Sequence, residues 1–161
     1  MPRTLLPSGV DQSPVWLALR RPDHPAVLIV DRDSAIRTIY AEHLTAMDCD
    51  VFAARDTDDP VQKAADLWPH VIVMDLIKAD VGRWETIAKL RQSGWTSGIR
   101  IIAVSDDADV RDEAFENGCD AFLVRPLTPS VLRAQIRTLL DPPESRSMRR
   151  AEPIVPIRPA A

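Results

Sequence analysis

Residues 71–76 read VIVMDL, an apolar run that ends directly in Asp75. Branched and apolar side chains over four consecutive positions are typical of a strand buried on both faces of a sheet. The next segment with helical spacing starts several residues later, so Asp75 is not simply the N-cap of that helix. The run therefore predicts a central strand with a carboxylate at its carboxyl end.

The same pattern recurs along the chain, alternating with segments of helical spacing. Strands are predicted at residues 26–30, 50–54, 71–74, 99–104 and 121–124. The first helical stripe contains Ile36, Ile39, Tyr40, Leu44 and Met47, and the fourth contains Val110, Ala114 and Phe115. Five strands alternating with five helices predict an α/β fold with a parallel sheet covered on both faces.

Local signals mark where the helices begin and end. Asp59-Pro60 and Thr128-Pro129 each combine an N-cap side chain with a proline at the first helical position, and Gly118 suits the position just after a helix. For the first helix, Asp33 or Ser34 is the expected cap.

Polar residues follow four of the predicted strands. They are Asp31, Arg32 and Asp33 after the first strand, Asp75 after the third, Ser105, Asp106 and Asp107 after the fourth, and Arg125-Pro126 after the fifth. In open parallel sheets the functional crevice lies beyond the carboxyl ends of the strands. These side chains are therefore expected to meet at one edge of the sheet.

Four segments, in this order, resemble a response regulator receiver domain of two-component signalling. They are VLIVDRDSAIR at 27–37, VIVMDL at 71–76, IIAVS at 101–105 and AFLVRPLT at 121–128. The resemblance covers residues 26–140 and implies a flavodoxin-like α/β fold, whose five-stranded parallel sheet has the order 2-1-3-4-5 with helices on both faces.

The resemblance also implies a phosphorelay chemistry. Asp75 would accept a phosphoryl group from a histidine kinase or phosphotransfer protein, Ser105 would supply the switch hydroxyl, and Arg125 would bind phosphate at the position usually held by lysine. Phe122 would be the switch aromatic, and the Arg125-Pro126 bond is expected to be cis.

A metal site is implied at the same edge, in an atypical form. Asp31, Asp75 and the backbone carbonyl of Ile77 would hold Mg²⁺. However, Arg32 replaces the second acid of the usual pair, and Asp106 adds a negative charge near the switch hydroxyl. Mg²⁺ binding is therefore expected to be weak or absent, and phosphorylation weak. Two placements of Arg32 are open: its guanidinium replaces the metal between Asp31 and Asp75, or it points to solvent.

Composition bounds the remaining features. A net charge of −4 argues against nucleic-acid binding, and no apolar run is long enough for a membrane span or a leader, so we expect a cytoplasmic protein. Cys49 and Cys119 are expected to be reduced thiols. Proline-rich flanks define an N-terminal extension at 1–25, with a short helix near 14–21, and a Pro/Arg-containing disordered tail at 141–161. Trp16 is expected to pack on the domain's own sheet edge, and a homodimer contact is the alternative.

The leading functional hypothesis is a single-domain response regulator that signals by protein contact, without catalysing a reaction. Its contact surface is expected to be the fourth helix, fifth strand and fifth helix. A phosphorylation-independent docking module of the same fold is the first alternative. A haloacid-dehalogenase-like phosphohydrolase is the second, with Asp31 as nucleophile and Asp33 as general acid.

Overall fold

The computed structural model describes residues 24–55 and 57–141, and within them strands and helices alternate. The elements are β1 (Ala26–Val30), α1 (Ser34–Ala46), β2 (Asp50–Ala53), α2 (Pro60–Leu67), β3 (Val71–Asp75), α3 (Val81–Gln92), β4 (Arg100–Ser105), a 3₁₀ turn (Ala108–Val110), α4 (Arg111–Glu116), β5 (Ala121–Val124) and α5 (Pro129–Leu140). The helix predicted near 14–21, and the predicted tail after Asp141, lie outside the described residues. No helix in the described part of the chain is both long and apolar enough to cross a bilayer.

The five strands form one parallel sheet in the order β2-β1-β3-β4-β5, which confirms the predicted fold class. The chain runs outward in one direction from β1 to β2, and in the other from β3 to β5. The order therefore reverses between β1 and β3. Ligand crevices in such sheets lie beyond the carboxyl ends of the strands at this reversal. Asp31, which follows β1, and Asp75, the last residue of β3, both lie at this edge.

The central strands are buried on both faces. Alternate residues of β1 and β3 contribute to two separate apolar clusters, Leu28 and Ile72 to one and Val27 and Val71 to the other. All four are fully buried. Since successive strand residues point to opposite faces, this continuous burial explains why β1 and β3 are runs of apolar residues rather than alternating ones.

We expect Ile72→Ala to lower the free energy of unfolding by about 2–5 kcal/mol, because it leaves a cavity under the helices. Ile72 is fully buried, whereas Val81, at the start of α3, is 65% exposed. Val81→Ala is therefore the matched control, with an expected change of about 0.5 kcal/mol or less. Urea unfolding followed by circular dichroism measures both, and equal losses would contradict the two-sided burial of β3.

The predicted helix caps are found. Asp33 accepts a hydrogen bond from the backbone N–H of Ala35 at 2.8 Å, so it caps α1. Asp59 and Thr128 cap α2 and α5 in the same way, each with a proline at the first helical position. Gly118 follows α4 with φ of 108°, a conformation that glycine adopts without strain.

Several details of the sequence prediction are wrong. Ile39 and Phe115 are 43% and 40% exposed, because Tyr40 and Ala114, their neighbours along the helices, occupy the buried positions. The fourth helical segment is split into the 3₁₀ turn and α4. β2 stops at Ala53, whereas β3 and β4 extend to Asp75 and Ser105. The last two shifts matter for function, because strand pairing fixes the backbone of both polar residues.

Candidate functional site

The polar side chains at the carboxyl edge of the sheet converge, as their strand-end positions predict. Asp31 and Asp75 are 5% and 4% exposed, and Ser105 is fully buried. Nη2 of Arg125 lies 2.6 Å from Oδ2 of Asp31, so the ends of β5 and β1 are joined directly. The edge of the sheet thus carries two buried carboxylates, a hydroxyl and a fixed cation.

Two arginines bind the carboxylate of Asp75. Nε of Arg32 donates to Oδ2 of Asp75 at 2.7 Å, and Nε of Arg83 donates to Oδ1 at 3.2 Å. Arg83 lies in the first turn of α3 and is 17% exposed, less than the 44% of Arg32. Both oxygens of Asp75 are therefore engaged by guanidinium groups from different segments of the chain.

Asp80 is the second carboxylate that binds Arg32. Nη2 of Arg32 lies 2.8 Å from Oδ2 of Asp80, whose Oδ1 caps α3 by accepting from the N–H of Arg83 at 3.2 Å. The partner that shares Arg32 with Asp75 is thus Asp80, because Oδ2 of Asp31 is already bound by Arg125. The hydrogen bond to Asp75 raises the pKa of Arg32 above its usual value, so the guanidinium stays charged.

Asp31 is held in place from two sides. Its Oδ1 accepts from the backbone N–H of Asp33 at 2.8 Å, and its Oδ2 accepts from Arg125. Burial raises the pKa of the Asp31 carboxyl, and the nearby charge of Asp75 adds to the rise, while the Asp33 bond and Arg125 oppose it. Arg37 of α1 donates to the Asp31 backbone carbonyl at 2.6 Å, which fixes the loop that presents Arg32.

Ser105 and the other two nitrogens of the Arg125 guanidinium have fewer and longer contacts. The Ser105 hydroxyl accepts from the N–H of Asp107 at 3.1 Å, and Nη1 of Arg125 lies 3.9 Å from Oδ1 of Asp106, which is 76% exposed. Nε of Arg125 is buried with no hydrogen-bond partner among the described residues. Burial raises the pKa of the Tyr40 hydroxyl, and the neighbouring Arg125 opposes that rise.

The remaining predicted site residues lie close by. The backbone carbonyl of Ile77 accepts from the N–H of Asp80 at 3.0 Å. Phe122 is half-buried and packs against one of the apolar clusters, and the Arg125-Pro126 bond is cis. Within residues 24–55 and 57–141, no group of three or more His, Cys, Asp or Glu side chains is arranged to hold a metal ion.

Sequence reasoning missed Arg83 and Asp80, which complete the contacts of Asp75. Their signal was weak: both lie near the start of a helix, where an aspartate reads as a cap and an arginine as an exposed side chain. Only their position in the segment that follows β3 indicated that they lie near this edge. Whether their side chains reach Asp75 depends on the conformation of the loop between β3 and α3, which the sequence pattern does not specify.

Comparison with known proteins identifies relatives of this chain. The sequence model of the response regulator receiver domain matches residues 27–137. The chain is 30% identical over 123 residues to the transcriptional regulatory protein AfsQ1 of Streptomyces coelicolor, covering 76% of this chain and 54% of that protein. The chain spans about half the length of the curated relatives it matches.

Solved structures share the fold. The chemotaxis response regulator CheY4 of Vibrio cholerae matches with a TM-score of 0.63 and 22% identity, covering 71% of this chain and 97% of that one. The receiver domain of the sensor histidine kinase PA1611 of Pseudomonas aeruginosa matches with a TM-score of 0.63 and 18% identity, covering 73% and 98%. That structure has a magnesium ion coordinated in its active-site cleft.

Proposed function

The chain belongs to the response regulator receiver family, and we propose that it signals by protein contact after slow phosphorylation of Asp75. The family is a non-catalytic signalling family whose members pair with histidine kinases. The proposed donor is accordingly the phosphohistidine of a kinase or of a phosphotransfer protein. The pairing of Asp75 with arginines supports a transfer in which guanidinium groups, rather than a metal ion, supply the positive charge.

Asp75 is the proposed phosphoacceptor because it ends a buried central strand among fixed cations. In the transfer step, an oxygen of Asp75 forms a bond to phosphorus while the phosphorus–nitrogen bond to the donor imidazole breaks. Arg32 and Arg83 already contact the two Asp75 oxygens, and both can donate to phosphoryl oxygens. Arg125, bound to Asp31, supplies a third charge at the edge.

The residues at this edge do not fit a Mg²⁺ site. All four carboxylate oxygens of Asp31 and Asp75 accept hydrogen bonds from N–H donors, three of them from arginine. The carbonyl of Ile77, the proposed third ligand, accepts from a backbone N–H. Mg²⁺ needs oxygen lone pairs in near-octahedral geometry, and a fixed cation beside those oxygens repels a second one. We therefore assign Mg²⁺ no step here.

The same arrangement is expected to make the transfer slow. The attacking oxygen of Asp75 must first give up an ion pair, with Arg32 at 2.7 Å or Arg83 at 3.2 Å. Charged hydrogen bonds of this kind lower the nucleophilicity of the carboxylate while they stabilise it. Asp106 adds negative charge near Arg125, which opposes an incoming phosphoryl group.

Incubation of the wild-type protein with acetyl phosphate, followed by intact-protein mass measurement, tests this proposal. We expect a slow gain of one phosphoryl group, at a rate that changes less than about twofold between excess Mg²⁺ and excess EDTA, because arginines supply the positive charge. A gain that requires Mg²⁺ would contradict the arginine-based mechanism.

A phosphorylation-independent docking module is the second candidate. Ion pairs already tie the β1–α1 loop to the end of β3 and the start of α3 without any phosphate. The same mass measurement separates the candidates, because a docking module would gain no phosphoryl group under any condition. The phosphohydrolase alternative has little support, since Oδ1 of Asp33 caps α1 and Asp31 is bound by Arg125.

The surface formed by α4, β5 and α5 is the proposed contact site for a downstream protein. Three apolar side chains on it are exposed to between 40% and 48%, namely Phe115, Val124 and Val131. The 3₁₀ turn and α4 also carry Asp109, Asp112 and Glu113, and the Arg111 guanidinium lies 5.6 Å from the centre of the Phe115 ring. Exposed apolar side chains on elements with more acidic than basic residues favour a partner with an apolar centre and a basic rim, and a second copy of the chain is the alternative.

A further inference from the structure

A groove with two tryptophans lies at the opposite edge of the sheet from Asp75. The cavity has a volume of about 340 Å³ and is formed before the starts of β3 and β4 and at the end of α5. Its lining includes Trp68, His70, Trp95, Ile99 and Leu140. The rings of Trp68 and Trp95 meet edge to face, with 5.5 Å between their centroids.

Trp95 distinguishes this groove from the rest of the surface. It is 54% exposed, although a tryptophan can bury more apolar area than any other side chain. Gly94 and Gly98 flank it, and a Cβ added to either would contact nothing within 4 Å. The groove therefore has room for additional side chains beside an exposed aromatic ring.

The N-terminal segment of the chain enters the fold next to this groove. The backbone N–H of Ala26 donates to Nδ1 of His70 at 2.9 Å, and His70 lines the groove. Residues 15–19 read VWLAL and end five positions before His24, the first described residue. Five residues span at most roughly 17 Å, so the tether between this apolar segment and the groove is short.

We propose that residues 15–19 of the same chain bind in the Trp68–Trp95 groove, with Trp16 and Leu17 against the exposed face of Trp95. The short tether favours this occupant, because it keeps the segment at an effective concentration on the order of millimolar. A second apolar group outside the described residues, Ile154-Val155-Pro156-Ile157, starts thirteen positions after Asp141. A longer tether lowers its effective concentration at the groove.

Disulfide trapping in the full-length protein tests this contact. Leu17→Cys combined with Gly98→Cys should form an intramolecular disulfide under mild oxidation, seen as a faster-migrating monomer on a non-reducing gel. The native thiols should not interfere, because Cys49 and Cys119 are buried and burial raises the pKa of Cys119 to about 12. Gly94→Cys provides a second acceptor position if the first variant unfolds.

Asp109→Cys is the matched control for the acceptor position. Asp109 is exposed, like Gly94 and Gly98, but it lies after β4 at the opposite edge of the sheet. The disulfide between Leu17→Cys and Asp109→Cys should therefore form at least about tenfold more slowly than the one to Gly98→Cys. Adding Trp95→Ala to the Leu17→Cys/Gly98→Cys pair should slow its disulfide about tenfold, because the segment loses its aromatic contact.

Three outcomes would overturn the proposal. Trapping no faster than in the Asp109→Cys control would mean that residues 15–19 do not bind the groove. A product that migrates as a dimer would assign the groove to a second copy of the chain. An Ile157→Cys/Gly98→Cys pair that forms faster than the Leu17→Cys pair would instead assign it to the segment after Asp141.

Discussion

Replacing Arg32 with aspartate is expected to create a Mg²⁺ site beside Asp75 and to accelerate phosphoryl transfer to it. In the wild-type protein the Arg32 guanidinium lies 2.7 Å from Asp75 and 2.8 Å from Asp80. The substitution removes that cation and places a carboxylate next to Asp31. The edge then carries the acidic pair that is usual in receiver domains, in addition to Asp75, and its carboxylate oxygens are ligands that suit Mg²⁺.

The size of the effect follows from the repulsion between like charges. Two unit charges about 4 Å apart repel by about 4 kcal/mol at an effective dielectric of about 20, or roughly a thousandfold in affinity. Arg32 is 44% exposed, so solvent screens part of this repulsion. Arg83 also remains on Asp75 in the variant. We therefore expect a gain in Mg²⁺ affinity of at least about tenfold, and a larger one when Arg83→Ala is added.

Titration with Mg²⁺, followed by tryptophan fluorescence or calorimetry, measures the affinity. Arg100→Asp is the matched control: it changes the net charge equally, but Arg100 starts β4 at the opposite edge of the sheet, where its side chain is 52% exposed and pairs with Asp120, not Asp75. The control should bind Mg²⁺ as the wild type does. If wild type binds Mg²⁺ at millimolar concentrations and Arg32→Asp changes nothing, Arg32 does not act as a substitute cation.

The fold could be predicted because its determinants are local and redundant. Each central strand is a run of apolar residues, and each of the clearest caps is a short motif, such as Asp59-Pro60, so an error at one boundary does not alter the topology. Predictions of helix faces were less accurate, and Ile39 and Phe115 show why. A residue one position from the buried one is rotated by about 100°, and a stripe of three to five apolar residues cannot specify which of the two faces the sheet.

The candidate site was predictable only up to the strand ends. Asp31, Asp75, Ser105 and Arg125 meet because their strands are parallel and neighbouring, which the alternation of elements already implies. The partners of Arg32 were not predictable in the same way. A long flexible side chain reaches several carboxylates, and the choice of Asp80 over Asp31 depends on the competing bond from Arg125.

We expect Asp75→Asn to abolish phosphorylation by acetyl phosphate while leaving the fold intact. An amide oxygen is a poor nucleophile toward phosphorus, and the isosteric side chain keeps an acceptor for one arginine. Arg32 retains its bond to Asp80, so its charge stays partnered. The loss of a buried charge partner for Arg83, which is 17% exposed, should still lower the free energy of unfolding by about 1–3 kcal/mol.

Intact-protein mass and urea unfolding measure these two effects separately. Asp58→Asn serves as the control, because Asp58 is also ion-paired, to Lys63 at 2.9 Å, but forms no hydrogen bond or ion pair with Asp75, Arg32 or Arg83 among the described residues. That variant should gain a phosphoryl group at the wild-type rate.

Labelling that persists in Asp75→Asn would place the acceptor elsewhere, with Asp31 the next candidate. Both oxygens of Asp31 are also bound, Oδ2 by Arg125 and Oδ1 by the backbone N–H of Asp33. A residual label on Asp31 should therefore disappear in Asp31→Asn/Asp75→Asn, and a label that survives both changes would remove this edge of the sheet from the chemistry altogether.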